Sequence, residues 1–596
     1  MLVRIVRALE AFYRASPRLT LCLAGAALLS GVLLPAFMLA SGALVAAVSA
    51  SLDFSAPLAL VAIIFVAQRV LDPIREELGA AVWRRVNQAV GLRLMAAASA
   101  PHGLRELEDP AVRDKLAQAQ GALTGFTPGQ AAQEFAMTLV GRVQGVLSLA
   151  IVGHTYWWAA VLLALVYVLN FGRTRAHWNE VLVVLNDRTG KLRRAFYLRG
   201  LALGSREAKE TRVFDLCVWL IDGYRRNAQA VLREVWHKRN EGWLAAGVLV
   251  VLVGSVELLT LWVIASDSII GRIDLATAIA TAQAVLAAGI LSLYEDGDAA
   301  LEEAAAATRS IIELENATSV PKTLNSGARS ADGMPRTSIR FEQVSFTYPG
   351  RSEPVVDGFD LEIEAGRSLA IVGENGAGKT TLVKLLARLH EPTSGRITVD
   401  GVDVRELSTE AWRRRIAAVF QDFARFELSA YDNIAFGALH AFDDSDKVER
   451  AAAEAGVLGL VERLEHGWTT TMSREYRFGT QLSGGEWQRL ALARALFGVA
   501  AGAGVLILDE PTASLDVRGE AQVYERFIEL TRGVTTIVIS HRFSTVRRAD
   551  RIVVIEHGRV VEDGTHGDLV QRQGGRYAGL YALQAARFEA PGDDDA

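Results

Sequence analysis

From Leu19 to Ser51 the chain runs 33 residues without an Asp, Glu, Lys or Arg. About 20 apolar residues suffice for a helix to cross a bilayer, so this stretch is read as a membrane span. Arg4, Arg7, Arg14 and Arg18 precede it, as basic residues precede the core of a secretory signal. The apolar core is too long for such a signal, and further apolar stretches follow it.

Five more candidates complete a set of six: 19–51, 54–71, 134–152, 156–172, 243–265 and 275–294, with a hairpin turn near Gly153–Thr155. Loop charges predict their orientation. The stretch after the second candidate carries Arg75, Arg84, Arg85, Arg93, Arg105, Arg113 and Lys115. The stretch after the fourth runs from Arg173 through Arg194 and Arg212 to Arg239. The intervening short loops are nearly free of basic residues, with Arg272 alone in the last. Both termini are therefore expected in the cytoplasm, with the chain in the cytoplasmic membrane. The segments Asp72–Gln133 and Arg173–Gly242 are rich in Ala, Leu, Glu and Arg and poor in breakers, and predict helices continuing out of the membrane. Each has a polar turn near its midpoint, at Leu104–Pro110 and within Gly204–Asp215.

Arg142 lies well inside the third span and Glu257 well inside the fifth. A charge at mid-helix costs about 2.5–3.5 kcal/mol on insertion scales, so both are candidates to line a substrate path. Snorkelling of Arg142 to an interface and wetting of Glu257 near the outer face are the plainer alternatives.

Composition limits the rest. Hydrophobic residues reach 51% while charged residues still make up 22%, so the apolar surplus is local and a soluble part must follow. At 596 residues the chain has room for about three or four domains. A formal net charge of −5 gives no case for nucleic-acid binding. Two cysteines, Cys22 and Cys217, provide neither a disulfide framework nor the spacing of a zinc site.

The domain boundaries follow from these shifts: a membrane domain over 1–315, a linker over 316–337 rich in Ser, Pro, Gly, Thr and Asn, and a domain over 338–585. An acidic tail over 586–596 closes the chain. Beyond the linker, short β-branched strands alternate with amphipathic helices, an α/β pattern. Within it Gly373, Glu374, Asn375, Gly376, Ala377, Gly378, Lys379 and Thr380 match the P-loop in full, after a strand and before a helix. Glycines there let backbone N–H groups turn around phosphates, Lys379 reaches the β- and γ-phosphates, and Thr380 can ligate Mg²⁺. An apolar strand, Val505–Leu508, ends in Asp509 and Glu510. Asp509 suits the Mg²⁺ shell and Glu510 a base or water-orienting group for attack on the γ-phosphate.

Between these motifs lies Leu482-Ser-Gly-Gly-Glu-Trp-Gln488, which resembles the signature of the ATP-binding cassette (ABC) family. Tyr348 resembles the aromatic residue that stacks on adenine, Gln421 the Q-loop glutamine, Ser514-Leu-Asp516 the D-loop, and His541 the switch histidine. The six-span first half resembles the exporter-type membrane domain, so the resemblance covers roughly residues 15–585. It implies a half-transporter: an all-α six-helix transmembrane domain with long cytoplasmic extensions, fused to an α/β P-loop ATPase domain. Two copies would sandwich two ATP molecules, with Ser483, Gly484 and Gly485 acting on the nucleotide held by the other copy. Tyr348, the P-loop residues, Thr381 and Asp516 would contact ATP. Thr380, Gln421 and Asp509 would hold Mg²⁺, and Glu510, Gln421 and His541 would serve hydrolysis.

Two departures stand out. Glu486 replaces the usual signature glutamine. Met472-Ser-Arg-Glu-Tyr-Arg-Phe-Gly479 replaces the Thr-x-Val-Gly-Glu-x-Gly stretch common in exporters, with Glu475 as the possible substitute. The expected activity is ATP-driven export of an amphipathic or apolar substrate, a drug-like molecule, peptide or lipid, by a homodimer in the bilayer. A lipid flippase or an importer on the same scaffold is the alternative, and a non-transporting ATPase sensor is the alternative of another class. No peptidase or sensor domain is expected from the sequence.

The orientation is testable. In a chain lacking Cys22 and Cys217, a cysteine at Ser51 or Ser268 should react with an impermeant thiol reagent added to intact cells. One at Ser205 should not. The reverse labelling pattern would invert the topology.

Overall fold

The computed structural model describes residues 10, 12–99, 103–119, 129–187, 189–205, 207–318, 329–510 and 529–589. Asp516 and the rest of the D-loop candidate fall outside these residues, as do most of the linker and the end of the acidic tail. The chain divides into two compact units, residues 1–99 with 109–318, and residues 100–108 with 319–596.

Among the described residues of the first unit, six helices are long and apolar enough to cross a membrane. Spans one to five are Pro17–Ser49, Ser55–Ser99, Gln130–Thr155, Trp157–Asp187 and Trp243–Ile270. Each contains an apolar stretch long enough to span, Pro35 and Pro73 lie inside the first two helices, and the third and fourth are separated only by Tyr156. The second helix runs 45 residues, well past its apolar window, so an apolar span and a polar extension form one helix. Beyond the fourth span, the chain folds into helices Thr189–Leu203, Ala208–Val213 and Cys217–Asn240. Gly242, at φ +79°, separates the last of these from span five.

The sixth span departs from expectation. Residues 275–294 read as one continuous helix, but the α-helix ends at Ala288. A 3₁₀ turn follows at Gly289–Ser292, and a new helix starts at Asp296 and runs to Thr318. Side chains from spans three and four take up the carbonyls released there. Arg142 donates to the carbonyls of Ile290, Leu291 and Leu293, and Asn170 to that of Ser292. Arg142 also pairs with Asp298 at 2.6 Å and lies over the Phe171 ring. These bonds give the Arg142 guanidinium partners within the first unit.

Small residues let the spans approach closely. A Cβ on Gly42 of span one would sit 2.9 Å from the carbonyl of Ala276 and 3.2 Å from the Ala280 Cβ on span six. A Cβ on Gly25 would meet nothing within 4 Å.

Among its described residues the second unit holds ten strands: β1 Ser338–Phe346, β2 Val356–Glu364, β3 Ser368–Gly373, β4 Ser394–Val399, β5 Val402–Asp403, β6 Ile416–Val419, β7 Val505–Asp509, β8 Thr535–Ile539, β9 Arg551–Glu556 and β10 Arg559–Gly564. They form an antiparallel sheet in the order β2-β1-β4-β5 and a six-stranded sheet in the order β10-β9-β3-β8-β7-β6. In the larger sheet β9 through β6 run parallel. β7 and β8 are buried along their whole length, which explains their Val/Ile/Leu/Thr content up to Asp509 at the end of β7. Trp412 is fully buried, and its indole N–H donates to the Leu386 carbonyl at 2.8 Å. Residues 103–108, the turn after the second helix, belong to this unit, where the Leu104 N–H donates to the Leu389 carbonyl at 2.8 Å. The final helix, Arg576–Glu589, extends past residue 585, so the first residues of the expected tail are helical.

The glycine contacts make a stability prediction. Gly42→Val forces a branched side chain against backbone, and overpacking of this kind costs about 1–3 kcal/mol. Thermal unfolding in detergent should therefore shift down by several degrees for Gly42→Val and not for Gly25→Ala. Equal melting of the two variants would refute the close approach of spans one and six.

Candidate functional site

Four neighbouring parallel strands, β3, β8, β7 and β6, bring the sequence motifs together. The P-loop follows β3, His541 follows β8, Asp509 ends β7 with Glu510 next to it, and Gln421 follows β6. Carboxyl ends of parallel strands are where open α/β sheets bind ligands, because the loops there converge and helix N-termini point inward.

The P-loop itself requires glycine. Gly376 and Gly378 have φ of +86° and +95°, and a Cβ on Gly373 would collide with the Ile555 carbonyl. Gly378 is the N-cap of the helix Lys379–Leu386. Glu374, Asn375 and Gly376 are exposed at the loop's crest, while Ala377 and Lys379 are buried. The Lys379 ammonium closes across the loop, donating to the carbonyls of Gly373 and Glu374 at 2.8 Å each. Burial pulls its pKa down, against the pull of Glu510 and Asp509 to keep it charged.

Asp509 is 1% exposed, and neither carboxylate oxygen makes a hydrogen bond. Burial pushes its pKa up. The Thr380 hydroxyl lies near enough to favour the charged form, although its geometry completes no hydrogen bond with either oxygen. A buried, unsatisfied carboxylate beside a hydroxyl fits the protein side of a Mg²⁺ shell. Among the described residues no group of three or more His, Cys, Asp or Glu could hold a metal alone. The remaining ligands would be phosphate oxygens and water, as Mg²⁺ prefers at phosphate sites.

Glu510 sits in the left-handed region at φ +49°, with its N–H bonded to the Ile539 carbonyl at 2.8 Å. Its carboxylate is held from both sides. Gln421 Nε2 donates to Oε2 at 3.1 Å, and His541 Nε2 lies 2.8 Å from Oε1. Burial and the nearby Lys379 lower the His541 pKa, outweighing the pull of Glu510. The imidazole is therefore neutral at physiological pH, and with Nε2 as its protonated nitrogen it donates to Glu510. The geometry leaves Glu510 a positioned acceptor next to buried Asp509 and Lys379, suited to orienting a water molecule.

Tyr348 packs edge-on against Phe346 and His390, with ring centroids at 4.8 and 5.3 Å, and its hydroxyl lies 3.3 Å from Thr381 Oγ1. It is thereby tied to the P-loop helix. The flanking His390 carried no sequence signal, since it comes from a different stretch of chain than Phe346.

The signature residues form a separate group. Ser483 caps the helix Gly484–Ala500 in a reciprocal box with Glu486, whose carboxylate accepts from the Ser483 N–H and hydroxyl at 2.8 and 2.7 Å. Those bonds hold the Glu486 carboxyl below the usual glutamate range. A glutamine carbonyl could accept both, so Glu486 keeps the cap and adds a charge. In the atypical stretch before it, the Glu475 N–H donates to Ser473 Oγ, and Ser473 Oγ donates to Glu427 at 3.1 Å. In the first unit, Glu257 accepts from the Tyr167 hydroxyl at 2.8 Å and lies against Gly289.

Comparison with known proteins agrees with these motifs. Residues 356–513 match the family model described as ABC transporter. The chain is 46% identical over 252 residues to an ATP-dependent lipid A-core flippase of Ralstonia nicotianae, covering 42% of this chain and 41% of that protein. It is 41% identical over 249 residues to ABC transporter B family member 14 of Arabidopsis thaliana, covering 42% of this chain and 19% of that one. The matches to the flippases thus span about two-fifths of those relatives' length. Over the whole chain the fold is that of a bacterial Atm1-family ABC exporter solved with ATP bound, with TM-score 0.70, 23% identity, and 96% and 98% of the two chains covered. Residues 356–513 thus carry the ABC transporter match, within a chain that shares the fold of that exporter.

Proposed function

We propose that this chain is one half of an ATP-driven exporter. Two copies assemble as a symmetric homodimer in the cytoplasmic membrane, with both termini and the ATPase domains in the cytoplasm. Each ATP, with Mg²⁺, lies between the P-loop of one copy and Ser483, Gly484 and Gly485 of the other. Glu510 orients the attacking water, Gln421 and His541 position Glu510, and Asp509 and Thr380 hold Mg²⁺. Asp516 would join the nucleotide site through the D-loop. ATP binding favours one membrane-domain state and hydrolysis restores the other, a population shift driven by differential nucleotide affinity.

The observation that carries this reading is the Glu510 carboxylate held between Gln421 and His541, beside a buried Asp509 without hydrogen bonds. The cargo is an amphipathic or apolar molecule, a drug-like compound, peptide or lipid. A lipid flippase is the second reading, supported by relatives of that name at 41–46% identity over the matched segments. Vesicle assays that follow lipid transfer between leaflets and solute uptake side by side separate the two.

Glu510→Gln should retain ATP binding and lose hydrolysis by at least about a hundredfold, because the amide cannot accept the water's proton. Unchanged turnover in the purified variant would remove Glu510 from this role.

Assembly is tested by mixing Lys379→Ala and Ser483→Ala chains. In a shared-site homodimer, the mixed dimer has one doubly damaged site and one intact site, so activity should return in part. Each variant alone should stay inactive. A fully active monomer would refute the shared-site arrangement.

A further inference from the structure

A helix broken inside a bilayer leaves carbonyls with no water to bond, at a cost of several kcal/mol for each unsatisfied group. Span six is broken in this way between Ala288 and Asp296. Side chains from other spans donate to the carbonyls there: Arg142 to Leu291, Leu293 and Ile290, the last of which also accepts from the Leu293 N–H, and Asn170 to Ser292. Asp298, 8% exposed, accepts both the Arg142 guanidinium at 2.6 Å and the N–H of Glu295, and so caps the helix beyond the break.

We propose that Arg142 and Asn170 make this break a hinge, positioning residues that let the outer helix Leu275–Ala288 and the inner helix Asp296–Thr318 change their mutual angle. A backbone hydrogen bond along a helix permits little rotation without being lost. A guanidinium presents five N–H donors on a flexible stem, so it can exchange among neighbouring carbonyls as they turn. The Arg142–Asp298 pair keeps the guanidinium neutralised meanwhile, since an unpaired charge there would be expelled toward water. Gly289, at the start of the 3₁₀ turn, lies against Glu257, which is itself held by Tyr167, and so gives the outer helix a fixed seat. The inner helix leads in sequence to the ATPase domain. The hinge therefore lies on the covalent route between nucleotide and membrane span, and its use in transport rests on the function proposed above.

The test places spin labels at Leu286 and Ala306, both exposed, in a chain lacking Cys22 and Cys217. Labelled chains are diluted with unlabelled ones so that distances within one chain dominate. An unbroken helix would set the two positions about 30 Å apart, at 1.5 Å per residue. Electron–electron resonance should give a distance that changes by several ångströms when a non-hydrolysable ATP analogue is added. Binding of a fluorescent ATP analogue is measured in parallel, so loss of nucleotide binding is distinguished from loss of the hinge. Arg142→Met and the milder Asn170→Leu should weaken or abolish the change, with ATP affinity altered less than about twofold. Arg142→Lys keeps the charge opposite Asp298 but lacks the fork of donors, and should respond between Arg142→Met and the native chain. A distance unmoved by nucleotide in protein that binds it would overturn the hinge. So would a full response from Arg142→Met, and a full response from Arg142→Lys would reduce the role of Arg142 to its ion pair.

Discussion

A carboxylate buried at the end of a central strand without a single hydrogen bond must be answered by charge, and the second unit is arranged around that need. Asp509 is drawn toward neutrality by burial, and so is Lys379, while each favours ionisation of the other. Their closeness depends on β3 and β7 flanking β8 in one parallel sheet. The same strand order sets His541 and Gln421 on either side of Glu510. A nucleotide with its metal would bring the missing partners for Asp509, so the site's electrostatics are completed by its ligand rather than by the protein.

The membrane unit obeys the corresponding rule for backbone. There the costly groups are carbonyls, and the compensation comes from Arg142 and Asn170 on neighbouring spans. Arg142 inside a span reads from sequence as a candidate for a substrate path, because a charge in hydrocarbon calls for a reason. The structure supplies another: the partners lie 148 and more residues away in sequence, in a stretch that looks like an uninterrupted helix. Little in Leu275–Tyr294 marks the break, since near it only Gly289 and Ser292 are weak helix formers and glycines are common in these spans.

Much of the rest was legible because it is local. Six apolar runs separated by charged or turn-forming residues disclose the helical half, and a P-loop between strand and helix discloses the α/β half. The types of residue at the site could be read as motifs. Their hydrogen bonds could not, since Glu510, Gln421 and His541 come together only through the strand order. The cap formed by Ser483 and Glu486 was partly readable, as a serine three residues before a glutamate is a helix-start pattern. Placing a carboxylate where the family more often has an amide retains that geometry and changes only the local charge.

The second unit is not drawn from one continuous stretch of sequence. Residues 103–108 belong to it, and the Leu389 carbonyl relies on the Leu104 N–H. Genetic exchange at the linker would move the later stretch and leave the earlier one behind, so a chimera would inherit a carbonyl fitted to a turn that its other parent must also supply. The turn at 103–108 and the Leu389 carbonyl must therefore descend together, although most of a polypeptide parts them.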